Sequence, residues 1–218
     1  MSLRNTLDDL EPHFSKGGKY ESFYALYEAI DTILYTPGKV TAGASHVRDA
    51  VDMKRVMTTV WWCAFFPMLA GMYHVGLQAN LAMDNMGIEG VAGWRGWIIE
   101  LLAGYDADNW WHCLIYGASF YVPIYMVTFI VGGFWEVLFA VKRGHEINEG
   151  FFVTSILFSL ILPATIPLWQ VAIGISFGVV IGKEIFGGVG KNFLNPALTG
   201  RAFIFFAYPA ELSGDSVW

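Results

Sequence analysis

Apolar residues in this chain come in long blocks, with the polar ones gathered between them. The first block, Val56 to Leu77, contains no Asp, Glu, Lys or Arg. At 1.5 Å per residue it reaches about 33 Å against a bilayer core of roughly 30 Å, which predicts a transmembrane helix. An acidic, Gly- and Trp-containing loop is expected over 78–110. The second block, Trp111 to Val141, is broken by one carboxylate, Glu136. A third, Phe151 to Trp169, carries Pro163 and Pro167 near its end. A glycine-rich fourth follows, Val171 to Ile181, and a short fifth, Pro196 to Tyr208, contains Arg201. The pattern predicts an all-α polytopic membrane protein with five transmembrane helices over 56–210. Short, Gly/Pro-interrupted spans point to a binding site in transport-type folds.

Residues 1–55 read differently. Leu3, Leu7 and Leu10 recur at helical spacing ahead of Pro12 and Gly17–Gly18. Phe23, Leu26, Tyr27, Ile30, Ile33 and Leu34 then form the stripe of an amphipathic helix that Pro37–Gly38 should stop. Such a helix suits the headgroup plane or a partner protein. The segment lacks the continuous apolar core of a signal peptide.

Charge fixes a direction. Lys and Arg number seven in 1–55, one in 78–110, two at 142–143, none in 163–170 and three in 183–201. This alternation is what the positive-inside rule requires of five spans that start in the cytoplasm. Residues 211–218 then begin a loop on the outer side. Five is an odd count and SGDSVW forms no tail, so the chain reads as part of something longer.

Composition agrees. Hydrophobic residues make up 55% and charged residues 15%, against about 25% charged in ordinary soluble domains. A net charge of -6 leaves no basic stripe for nucleic acid. Cys63 and Cys113 show no metal-type spacing and read as packing residues.

Three segments could carry chemistry. In VGGFWE, 131–136, Gly132 and Gly133 allow a flat ligand or another backbone to approach. Glu136 should face protein, water or a cation, or else pair with Arg143, two turns along the same face. The second segment, 182–203, misses the phosphate-loop spacing, because Ile185 and Asn192 stand where Gly and Ser/Thr are needed. Its Asn195–Pro196 reads as a helix N-cap followed by proline at the first helical position. Asn192 on irregular backbone suits the edge of a heterocycle. The third is the loop 142–152, where His145 and Glu149 read as a solvated turn or as groups that bind a headgroup or move protons. Lys54 and Arg55 read most simply as topology-fixing charges.

Five long runs then carry a resemblance: HVRDAVDMKR at 46–55, IVGGFWEVLF at 130–139, HEINEGFFVTS at 145–155, PLWQVAIGISFGVVIGKEIFGG at 167–188 and NFLNPALTGRAFIFFAYPA at 192–210. Together they are very similar to the B subunits of bacterial Na⁺-translocating NADH:quinone oxidoreductases. They resemble less closely the D subunits of Rnf-type ion-translocating complexes. The resemblance implies one component of an inner-membrane complex, alongside its A, C, D, E and F subunits, that passes electrons from NADH to ubiquinone and pumps Na⁺ outward. It implies that the five spans are the first of two inverted repeats. It further implies quinone access at Gly132, Gly133 and Glu136, with Lys54, His145 and Phe151 on the approach and Glu136 also on the Na⁺ path. Riboflavin falls at Asn192 and Asn195. Covalent FMN, carried by a threonine in an S-G-A-T motif, is expected beyond Trp218. The rival readings are a small-solute channel, prompted by the Asn-Pro-Ala triplet at 195–197, and a purely structural anchoring subunit.

Overall fold

The computed structural model describes residues 3–35, 43–44, 51–145, 147 and 149–212. The expected helix stop at Pro37–Gly38, residues 46–50 of the run 46–55 and the end at 213–218 lie outside them. The described residues are helical, with no strand among them. Two short helices, α1 (Leu3–Phe14) and α2 (Tyr24–Leu34), precede the long α3 (Met53–Met86). A short α4 (Trp94–Leu102) leads to the long α5 (Trp110–Arg143). Then come α6 (Gly150–Leu160), α7 (Leu168–Val180), α8 (Pro196–Ala207) and a single turn, α9 (Pro209–Leu212). By length and composition, α3, α5 and the stretch Leu168–Phe186 can cross a membrane.

Both long helices exceed their apolar blocks. At 34 residues each, they reach about 50 Å, well past a bilayer core of roughly 30 Å. Residues 78–86, expected to be loop, continue α3, and 94–102 form a helix of their own. Hydropathy marks what lipid tolerates, not where hydrogen bonding ends. Termination follows glycine instead: Gly87 (φ 65) and Gly144 (φ 68) close α3 and α5 in the left-handed region. The third block also differs from expectation. Its helix stops at Leu160, and 161–167 are irregular, because Pro163 and Pro167 cannot supply the amide hydrogens a helix needs. At 11 and 12 residues, α6 and α8 are each about half a bilayer core in length.

The core sits where α5, α6, α7 and α8 meet, around Ile124, Phe158, Val171, Ile175 and Ile204. The buried stripe of α5 begins at Cys113 and Gly117 and recurs every four residues from Ile124 through Thr128, Gly132, Glu136 and Ala140. A Cβ on Gly117 would stand 1.8 Å from the Met72 carbonyl oxygen, and one on Gly76 1.8 Å from that of Cys113. Between α3 and α5 the two backbones themselves touch, as small residues permit between membrane helices. Cys63, read as a packing residue, instead lies exposed on α3.

Along α2 the expected apolar stripe is split: Leu26, Ile30 and Leu34, with Phe23 just ahead of the helix, are exposed, whereas Tyr27 is buried and Ile33 packs on the core. The face turned inward carries Ala25, Tyr27, Glu28, Ala29 and Thr32. Arg4 Nη1 reaches Asp31 Oδ1 at 2.9 Å and Tyr27 Oη donates to the Leu7 carbonyl, closing α1 on α2. Burial, then the Asp31 carboxylate, raises the Tyr27 phenol above its ordinary pKa and keeps it a donor.

Candidate functional site

The charged residues that the fold buries gather at the Arg143 end of α5, in two groups. In the first, the stripe of α5 delivers Glu136 to an interior position. A short 3-10 turn after α7, Glu184–Phe186, brings two more buried charges to it. Lys183 Nζ bonds to Glu136 Oε1 and lies 3.2 Å from Glu184 Oε1. Arg143 Nη1 meets Glu184 Oε2 at 2.7 Å, and its Nη2 donates to the Glu184 carbonyl at 2.7 Å. The expected pairing of Glu136 with Arg143 is therefore not the one formed. Arg143 turns across to the α7 side and Lys183 takes its place, which fills both carboxylates instead of one. Glu136, His145, Lys183 and Glu184 line a cavity of about 210 Å³ beside Gly187 and Gly188.

In the second group, Lys54 Nζ is 2.5 Å from Glu28 Oε1 and 3.3 Å from Glu149 Oε1. Thr32 Oγ1 donates to the same Glu149 oxygen at 2.9 Å. Glu149 is 1% exposed, so this residue is not part of a solvated turn; α2 and the foot of α3 cover it. Glu28 Oε2 is buried and makes no hydrogen bond among the described residues. Beside this group, between residues 14–25 and the end of α5, runs a half-open groove of about 810 Å³ lined by Phe14, Tyr24, Ala140, Val141 and His145. His145 borders both cavities.

The residues singled out in the sequence are brought together in pairs. Phe151 packs on Gly132, where a Cβ would come within 2.5 Å of its ring and 3.0 Å of Ile175. Gly133 differs: a Cβ there would meet only Phe151 Cε1, at an ordinary 3.6 Å. Glu136 and His145 share the smaller cavity, and Lys54 lies with Glu149, two residues before Phe151. Asn192 and Asn195 stand apart in the loop before α8. The Asn195 side chain accepts from Leu198 N at 3.2 Å, which is the expected cap, and Asn192 Nδ2 donates to the Leu194 carbonyl at 2.7 Å. Among the described residues the side-chain Nδ2 of Asn195 makes no hydrogen bond, and Phe193 and Leu198, close to it in the chain, are exposed. An aromatic face beside amide edges fits a flavin ring, so these residues are chemically able to hold one.

Glu28, Thr32, Lys183 and Glu184 do not stand out in the sequence as site residues. A charge pair placed directly after an apolar, glycine-rich run is the available signal for Lys183 and Glu184. A single acid beside an apolar stripe reads as part of a solvated face and gives no comparable signal for Glu28.

A buried, ion-paired carboxylate at the end of an apolar span is costly in a membrane and marks a functional position. The model of the NQR2, RnfD, RnfE family matches residues 40–218. The chain belongs to that family. Its relatives include proteins named as the B subunit of Na(+)-translocating NADH-quinone reductase, from Chromohalobacter salexigens (67% identical), Stutzerimonas stutzeri (64%) and Pseudomonas paraeruginosa (62%). In each case the match covers 100% of this chain and 53–55% of the relative. The chain thus spans about half the length of the curated relatives it matches.

Proposed function

We propose that this chain is part of a membrane component of a respiratory, Na⁺-pumping NADH:ubiquinone reductase, working with the complex's other subunits in a bacterial inner membrane. The observation that carries the reading is the buried Glu136–Lys183 pair on an apolar span of a family member whose relatives bear that name. Its five apolar segments are the first of two inverted repeats, with residues 1–55 cytoplasmic and residue 218 on the outer side.

On this reading the Arg143 end faces the cytoplasm and takes the quinone. The groove bordered by His145 has the size of a small-molecule site. Gly133, with room beside its backbone, allows a flat ring to lie next to Phe151, and Lys54 sits on the approach. Glu136 receives Na⁺. Asn192 and Asn195 orient riboflavin through its ring edge, and FMN is bound by the part of the protein outside this chain. The flavins supply the one- and two-electron chemistry when bound; the residues here position and shield.

The test is Gly133→Ala in the whole complex. The added methyl has ordinary space, so assembly and flavin content should stay unchanged while the KM for ubiquinone rises several-fold. An unchanged KM and unchanged sensitivity to quinone-like inhibitors would remove Gly133 from the site.

A further inference from the structure

The Glu136 carboxylate already has a resident cation. Lys183 Nζ is bonded to it, and the side chain is only 3% exposed. We propose that Na⁺ reaches Glu136 by displacing the Lys183 ammonium onto Glu184, so that Lys183 and Glu184 set how tightly this position takes Na⁺. The proposal rests on the reading of Glu136 as part of the Na⁺ path.

Three features of the geometry support the exchange. First, the alternative seat is already in reach: Lys183 Nζ lies 3.2 Å from Glu184 Oε1. Letting go of Glu136 therefore needs only rotation about the end of a flexible four-carbon stem. Second, that seat cannot follow the lysine. Arg143 holds both Glu184 Oε2 and the Glu184 carbonyl, and its guanidinium lies 4.8 Å from the Phe139 ring centroid. Third, there is room for the incoming ion. The cavity of about 210 Å³ at Glu136 and Lys183 could hold roughly seven waters at 30 Å³ each. Gly187 and Gly188 leave it open, at φ +108 and +94, where side-chain-bearing residues would be strained.

Charge gives the exchange a purpose. Glu136, Lys183, Glu184 and Arg143 sum to zero. An added Na⁺ leaves the group with one positive charge in excess, whichever carboxylate the lysine holds. Such a position fills and empties readily, and transport needs binding strong enough for entry and weak enough for departure. A bare buried carboxylate would hold the ion or a proton more persistently.

The experiment measures NADH-driven quinone reduction by the purified complex as a function of Na⁺ concentration. Lys183→Gln removes the competitor and should lower the half-saturating Na⁺ concentration about fivefold or more. Glu184→Gln weakens the lysine's alternative seat and should raise it by a similar factor. General loosening of the fold cannot move the two in opposite directions. Shifts of the same sign, or none, in assembled complexes overturn the proposal. If Lys183→Gln does not assemble, Lys183→Arg replaces it: a fork that grips both carboxylates should raise the half-saturating concentration, and no change overturns the exchange. Glu136→Gln distinguishes the Na⁺ role of Glu136 from the lysine exchange. If it leaves the Na⁺ dependence untouched, the Na⁺ role of Glu136 fails as well. If it alters that dependence while the Lys183 and Glu184 variants do not diverge, only the exchange fails.

Discussion

The two ends of α5 are held by opposite means. Near Trp110 the helix lies backbone against backbone on α3, through Gly76 and Gly117, and a methyl at either glycine would collide with a carbonyl. Near Arg143 the same four-residue stripe presents Gly132, Glu136 and Ala140, and its neighbours answer with buried Lys183 and Glu184. The first arrangement is contact alone. The second takes charges out of water, and such pairs are often no more stabilising than apolar residues of the same volume. Stability explains the glycine seam, but it does not explain the charges. The contrast directs attention to the Arg143 end as the place where chemistry, not cohesion, selected the residues.

The strongest way to break this contrast is at the seam. Gly117→Val places its Cβ 1.8 Å from a backbone oxygen that no side-chain rotation can move. Overpacking ordinarily costs about 1–3 kcal/mol, and a backbone-on-backbone collision belongs above that range. The expected result is a large loss of assembled complex, read by its yield after purification. Any complex that survives should keep a wild-type ubiquinone KM. A normal yield would mean that the seam is not a fixed contact.

Next in size is Lys54→Met, at the charged end. It strips an ammonium from two buried carboxylates, Glu28 and Glu149, the second only 1% exposed. Removing one partner of a buried pair costs about 3–5 kcal/mol. The lower figure applies here, since the Lys54 side chain is 22% exposed. The damage should be local: α2 loses its tie to α3 and α6, so limited proteolysis ahead of Met53 should accelerate while α5 and α7 stay protected. Adding Glu149→Gln to Lys54→Met should recover part of the loss, because one uncompensated charge is removed. No recovery would show that Lys54 acts through partners other than Glu149.

The sequence reveals these two ends unequally. The seam lies inside apolar runs, so Val56 to Leu77 and Trp111 to Val141 are visible as spans by length and hydropathy. The start of α8 is visible in Asn195–Pro196, because capping is a local device. The charged end depends on partners distant in the chain. Glu136 and Lys183 are 47 positions apart, whereas Arg143 at i+7 is the partner that helical spacing can offer. Glu149 reads as solvated because its cover comes from α2, more than a hundred residues earlier. In α2 itself the stripe is legible but its direction is not. Periodicity shows that a helix has two faces, and in this protein Leu26, Ile30 and Leu34 point outward while Glu28 and Thr32 point in.

The smallest effect gives the sharpest test, since it falls on a residue with a visible structural duty and a proposed binding one. The Asn195 side chain caps α8 through Leu198 N. Asn195→Ala should cost about 1 kcal/mol for the lost cap, read as a modest drop in thermal stability of the complex. Asn195→Ser keeps an oxygen able to cap and should leave that stability near wild type, but it removes the amide nitrogen that could meet a flavin carbonyl. If Asn195 holds riboflavin, both variants lose riboflavin from the purified complex although only one loses stability. If it is a cap alone, riboflavin content follows stability and the serine variant retains it. Capping, like the seam, holds the fold together and any oxygen in the right place can supply it, whereas flavin binding depends on one chemical group in one place, as at the charged end.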